Sequence, residues 1–140
     1  KHLYQIGIRA SSKEEYSRII SDDKISTFFA AEILRNTTNW QQMLSQLRAI
    51  EGPIYLTIDI DGLDGGIVPA TGTTVPGGLS FWQAVEIMEA VFSAPNARVI
   101  GMDINEIVPQ KDTPLTQFTA AMLATKGIVY HINNRITGKW

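Results

Sequence analysis

Asp59 and Asp61 stand one residue apart at the end of an apolar run, Pro53-Ile54-Tyr55-Leu56-Thr57-Ile58. The run is short, carries β-branched residues and follows Gly52, so it reads as a buried strand. In a strand, residues i and i+2 point to the same face, which sends both carboxylates off the strand's C-terminal end together. Like charges this close repel, and burial sharpens the repulsion. A cation should hold them, and a hard divalent metal suits oxygen ligands best. A Gly/Pro-rich stretch from Gly62 to Gly78 follows, too long for an ordinary connection. Loops of that length are usually functional or disordered.

The elements that must position this pair can be read from local signals. Leu3 to Arg9 reads as a strand. Ser11 and Ser12, followed by Glu14 and Glu15, offer a capping box for a helix over about residues 13 to 20. Ile25 to Phe29 is a second apolar run, and Ala30 to Arg35 can form a short helix. Thr38 or Asn39 can cap another helix, in which Trp40, Met43, Leu44 and Leu47 recur at helical spacing. Strand Ile54–Ile60 and the long loop come next. Ser80 with Gln83 forms another capping box, opening a helix that carries Phe81, Ala84, Val85, Met88, Val91 and Phe92 and stops before Pro95. Arg98 to Ile104 reads as a fourth strand, and a last helix spans Leu115–Ile132 with Gly127 as its weak point.

The alternation β-α-β-α-β-α-β-α predicts an α/β fold with a parallel sheet and flanking helices, joined by right-handed crossovers. Such sheets bind ligands beyond the C-terminal strand ends, where Asp59, Asp61 and the Asp103–Glu106 stretch all fall. With 140 residues, 44% of them hydrophobic, the chain is one domain or part of one and can build a core. A formal net charge of −2, with no basic run, argues against nucleic acid as the partner. No apolar stretch is long enough to span a bilayer and no secretory signal pattern is seen, so a cytoplasmic protein without a membrane partner is expected. Cysteine is absent, which excludes disulfides and thiolate metal sites.

From Tyr55 the chain runs YLTIDIDGLDGGIVPATGTTVPGGLS, and further on GMDINEIVPQKD. These segments resemble the ureohydrolase superfamily of arginases, agmatinases and related guanidino-group hydrolases. Thr57, Asp59, Asp61, Asp64, Pro69, Thr71, Gly72, Thr73, Pro76, Gly77 and Gly78 match the first family motif in register, and Asp103, Glu106 and Pro109 match the second. The resemblance covers essentially the whole chain and corresponds to the C-terminal half of the family's three-layer fold. Residues 1–140 are thus expected to be the C-terminal portion of a single ureohydrolase-like domain whose N-terminal half is absent.

The resemblance implies a metal-dependent hydrolase that converts a guanidino compound to urea and an amine. Asp59 and Asp61 would be metal ligands in a site for two Mn2+ ions, with Ni2+ as an alternative. A hydroxide bridging the metals would attack the guanidinium carbon, Asp61 serving the catalytic centre and Glu106 gripping the guanidinium group of the substrate. The implied assembly is a homo-oligomer, a trimer or hexamer, in the complete protein. Agmatine, guanidinobutyrate, arginine and guanidine remain candidate substrates.

The chain departs from the family pattern in three ways. Gly65-Gly66 stands where Pro is usual, which loosens the loop; Thr74 replaces a frequent Pro; and the family's His-bearing ligand motifs do not occur. His2 and His131 are the only histidines, and neither lies in such a motif. The expectation is that this polypeptide alone binds metal weakly, is inactive and is less stable than a normal domain of its size. Asp64 is expected to brace the loop by accepting backbone amides, and Asp103 to support its neighbours rather than bind an ion. A degenerate, non-catalytic assembly or binding module is the alternative. A haloacid-dehalogenase-like phosphatase with Asp59 as nucleophile fits poorly, because Leu63 follows Gly62 where Thr or Val would be needed. An EF-hand loop starting at Asp59 fails because Leu63 and Ala70 fall where oxygen ligands belong.

Overall fold

A computed structural model describes residues 1–111 and 113–140. Strand β1 (Leu3–Ile8) leads to helix α1 (Lys13–Ser21) and strand β2 (Ile25–Phe29). The short helix α2 (Ala30–Ile33) and helix α3 (Thr37–Arg48) precede strand β3 (Gly52–Asp59). A single 3₁₀ turn, Ile60–Gly62, opens the long loop. Helix α4 (Phe81–Ser93), strand β4 (Ala97–Asn105) and helix α5 (Leu115–Ile136) complete the fold.

Both capping boxes form. Ser12 Oγ accepts from the Glu15 amide while the Glu15 carboxylate accepts from the Ser12 amide, and Ser80 and Gln83 repeat the exchange at α4. The cap of α3 is Asn36 rather than Thr38 or Asn39: its Oδ1 accepts from both of those amides, 2.9 and 3.3 Å away. Asn is at least as good an N-cap as Thr, and at position 36 one side chain satisfies two amides of the first turn at once. Helix α5 runs four residues past the expected end, to Ile136. Gly127 does not break it, because the glycine faces the core. A Cβ there would lie 2.5 Å from Met102 Cε, so the missing side chain lets helix and sheet approach.

The strands are parallel, as their alternation with helices requires, but they form two separate pairs. β1 pairs with β2 and β3 with β4, and no ladder joins β1 to β3. The core lies on one side of the β3–β4 pair, where Met43, Leu44, Leu47, Val85, Met88, Val91, Phe92 and Leu123 pack. Ile54, Leu56 and Ile58 point into it, whereas Pro53, Tyr55, Thr57 and Asp59 alternate onto an open face. The expected buried strand is therefore covered on one face only. Around β1–β2 burial is thin: α1 has no buried residue.

Candidate metal centre

Asp59 ends β3, and Asp61 sits inside the 3₁₀ turn rather than in the strand. Strand periodicity therefore does not align them. The Asp59 side chain caps the turn, its Oδ1 accepting the Asp61 amide at 3.4 Å, and the turn folds the second carboxylate back beside the first. The two converge by a different geometry from the one expected. Partial enclosure of the Asp59 carboxyl, the neighbouring charge of Asp61 and, more weakly, that of Glu106 hold its pKa above the ordinary carboxylate value. The Asp61 amide opposes that shift without cancelling it. Asp61 is steadied further by Thr73, whose hydroxyl donates to Asp61 Oδ2.

Glu106 follows β4 directly and takes a left-handed backbone with φ of 60°, the one non-glycine residue to do so among those described. It bears on the same corner as Asp59 and Asp61. A Cβ added at Gly72 would come 3.4 Å from Glu106 Oε2, so the loop backbone passes close to this carboxylate. Residues that share one β-turn-rich corner thus come from the ends of two adjacent parallel strands, where Asp59 and Asn105 are register partners.

Asp103 is occupied by its neighbours. Thr57 Oγ1 and Tyr55 Oη each donate to it at 2.6 Å, and Asn105 Nδ2 donates at 2.7 Å. Those bonds, Thr57 foremost, lower its pKa, and the Tyr55 hydroxyl is correspondingly held protonated to higher pH. Asp103 therefore braces β3 against β4, the supporting part expected of it. Among the described residues, no group of three His, Cys, Asp or Glu could hold a metal ion.

The loop from 62 to 78 is built rather than loose. Asp64 Oδ1 accepts the Gly66 amide at 2.9 Å and Oδ2 the Gly77 amide at 2.7 Å, closing the loop's two ends on one carboxylate. Leu63 and Leu79 form a parallel bridge alongside. A Cβ at Gly78 would lie 2.4 Å from the Leu63 backbone, so no side chain fits there. The middle of the loop is fastened to α5, where buried Thr116 Oγ1 accepts the Ala70 amide at 2.9 Å. The backbone bonds from Gly66 and Gly77 hold the Asp64 pKa below its ordinary 3.8. A depressed carboxylate stabilises the fold above its unfolded pKa and loses that contribution as pH falls through the folded one. Acidification below 3.8 should therefore open the loop before the core. Amide exchange at Gly66 and Gly77, followed from neutral pH downwards, reads this directly.

The two departures from the family motif touch one another. A Cβ at Gly65 would stand 2.7 Å from Thr74 Cγ2 and 3.2 Å from the Val75 carbonyl. Thr74 is held in place by hydrogen bonds from its hydroxyl to the carbonyls of Pro69 and Thr71, at 3.2 and 3.5 Å. Glycine at 65 makes room for threonine at 74, and the expected looseness is taken up by this packing. Gly65→Ala should cost about 1–2 kcal/mol in the natural background and well under half that with Thr74→Ala, a coupling that chemical denaturation of the double-mutant cycle measures.

The polar partners of the site that local sequence did not disclose are Thr73 and Arg9. Thr73 lay within the matched motif without an assigned task. Arg9 donates from the end of β1 to three carbonyls of the turn and loop, those of Asp61, Leu63 and Val75. Its partners lie 52 to 66 residues away, beyond the reach of any local pattern.

Paired carboxylates beyond the ends of parallel strands, closed in by a Pro/Gly loop, place the site where α/β folds bind their ligands. The chain belongs to the arginase family, whose model matches residues 1–129. It is 36% identical over 129 residues to the N(1)-aminopropylagmatine ureohydrolase of Thermus thermophilus, covering 92% of this chain and 40% of that protein. It is likewise 36% identical to the agmatinase of Serratia proteamaculans, covering 91% of this chain and 38% of that one. Among solved structures, the agmatine ureohydrolase of Thermoplasma volcanium superposes with a TM-score of 0.79 at 25% identity, over 96% of this chain and 44% of that chain. The arginase of Bacillus subtilis gives 0.72 at 28% identity, over 89% and 43%. The α/β fold with parallel strands and flanking helices is thus arginase-like, and the chain spans about 40% of the length of the curated relatives it matches.

Proposed function

We propose that this chain supplies one side of a binuclear metal site that hydrolyses a linear guanidino compound to urea and an amine, in the manner of an agmatinase. The observation that carries the reading is the crowding of Asp59 by Asp61 and Glu106 at one corner. Carboxylates brought together against their own repulsion suit a divalent cation, and oxygen donors suit Mn2+ or Ni2+. Asp59 and Asp61 would hold the metal; Asp103 would not, its oxygens being taken by Tyr55, Thr57 and Asn105. When bound, such ions make water a nucleophile near neutral pH.

The residues of the chain itself would do the rest. Glu106 pairs with the planar guanidinium through charge-assisted hydrogen bonds and orients its carbon. Thr73 fixes the rotamer of Asp61, and Asp64 holds the loop that closes over the corner. The remaining ligands would come from the N-terminal part of the domain, so that the 140 residues alone are inactive. The names of the relatives point to agmatine or an aminopropyl derivative as substrate. On this reading the complete protein would work as a cytoplasmic homo-oligomer, a trimer or hexamer.

The test is urea release from agmatine, arginine, guanidinobutyrate and guanidine with Mn2+ present. It is run on the 140-residue chain and on the longest natural form of the protein. Turnover by the longer protein alone is expected. Turnover by neither would leave the non-catalytic assembly module as the better account, and turnover by the shorter would overturn the claim of incompleteness.

A further inference from the structure

We propose that Arg9 is a positioning residue for the carboxylate pair: its guanidinium latches the Asp61 turn and the far arm of the loop onto the end of β1. The proposal rests on the metal-site reading above. The two strand pairs share no ladder. Among the described residues, the bonds of Arg9 are the only hydrogen bonds joining residues 1–29 to the chain beyond residue 50. One nitrogen, Nη1, reaches the Leu63 carbonyl at 3.3 Å and the Val75 carbonyl at 3.1 Å, while Nη2 donates to the carbonyl of Asp61 itself.

The choice of side chain matters physically. A guanidinium carries five donors in a rigid planar fork and cannot be deprotonated, so it can hold several carbonyls in a fixed mutual geometry. Here the three carbonyls belong to both arms of the loop that Asp64 closes. Asp61 is then held at three points: its amide by Asp59, its carboxylate by Thr73 and its carbonyl by Arg9. Without the last, the turn can rotate about the end of β3, and the second carboxylate moves with it. The positive charge also lies near enough to Asp64 to favour its ionised form. Gly7, two residues earlier in β1, has a positive φ of 82° and brings the strand against Leu79 and the Gly62 carbonyl, which sets the distance Arg9 must span.

The experiment compares Arg9→Met and Arg9→Lys with the natural residue in the longest natural form of the protein. Amide exchange is read at Asp64, Gly65 and Leu79, whose bonds close the loop, and in α3 and α4 as the control. Mn2+ affinity is measured by electron paramagnetic resonance. Arg9→Met should speed loop exchange roughly tenfold and weaken Mn2+ binding roughly tenfold while core exchange stays within about twofold. Arg9→Lys, with three donors on a point charge, should fall between the two. Unchanged loop exchange in Arg9→Met overturns the latch, as does a loosened loop that binds Mn2+ as tightly as the natural protein. If Arg9→Met fails to fold, Arg9→Lys decides: natural exchange and affinity overturn the proposal. Loop loosening in a protein whose natural form takes up no Mn2+ would sink the metal reading and leave the latch standing.

Discussion

Asp61→Asn in the longest natural form of the protein is expected to weaken Mn2+ binding at least a hundredfold and to cut urea release by roughly a thousandfold. The substitution is nearly isosteric, and each structural bond of Asp61 survives it. The amide at 61 still reaches Asp59 Oδ1, the side-chain carbonyl can still accept from Thr73, and the main-chain carbonyl still meets Arg9. What goes is the negative charge. Asp59 then loses the neighbour that, after its partial enclosure, does most to hold its pKa up. The melting temperature should accordingly stay where it is or rise slightly at neutral pH. Loss of metal binding with the fold intact separates a ligand from a capping residue. Isothermal titration with Mn2+, a urea assay and a thermal melt on the same preparation check all three parts. Natural affinity and turnover in the variant would remove Asp61 from the site.

The corner was legible in the sequence to the extent that its causes are local. Capping boxes at Ser12 and Ser80 involve residues three apart, and both formed as read. Half of the Asp64 brace is short-range too, an acidic side chain accepting the amide of a glycine two residues on; its other bond, from Gly77, crosses thirteen residues of loop. The convergence of Asp59 and Asp61 was read correctly from the wrong periodicity. A continuing strand would bring residues i and i+2 to one side, whereas here the Asp59 side chain caps the turn and draws Asp61 back beside it, and the sequence IDIDG serves either. What stayed hidden depends on partners distant in the chain. The absence of a ladder between β1 and β3 leaves no trace in either strand, each of which is apolar enough to pair. Arg9 resembles any arginine at a strand end until its three carbonyls are known. Gly65 and Thr74 looked like two independent departures, because the contact that links them exists only in the folded loop.

Glu106 offers the second large effect and the sharper test, since stability and activity should move in opposite directions. Its left-handed φ of 60° costs a residue with a Cβ about 1 kcal/mol, and strain of that kind persists where surrounding structure imposes it, often at functional sites. Nothing in an exposed position at the end of β4 demands glutamate for packing. On the proposed reading, the strained backbone aims the carboxylate at the guanidinium. Glu106→Gln keeps the size and the strain but gives up the charge. It should lower kcat/KM roughly a hundredfold, chiefly through KM, and leave Mn2+ affinity within a few-fold. Glu106→Asn goes further, because asparagine tolerates the left-handed region better. It should gain up to about 1 kcal/mol of stability while losing at least as much activity. Removing the charge also lightens the like-charge burden on Asp59, in the same stabilising direction. Denaturant titration paired with steady-state kinetics on both variants measures the trade. A Gln variant with natural kcat/KM would show that the glutamate does not touch substrate. An Asn variant that is both less stable and less active would show instead that the backbone geometry at 106 depends on the glutamate side chain.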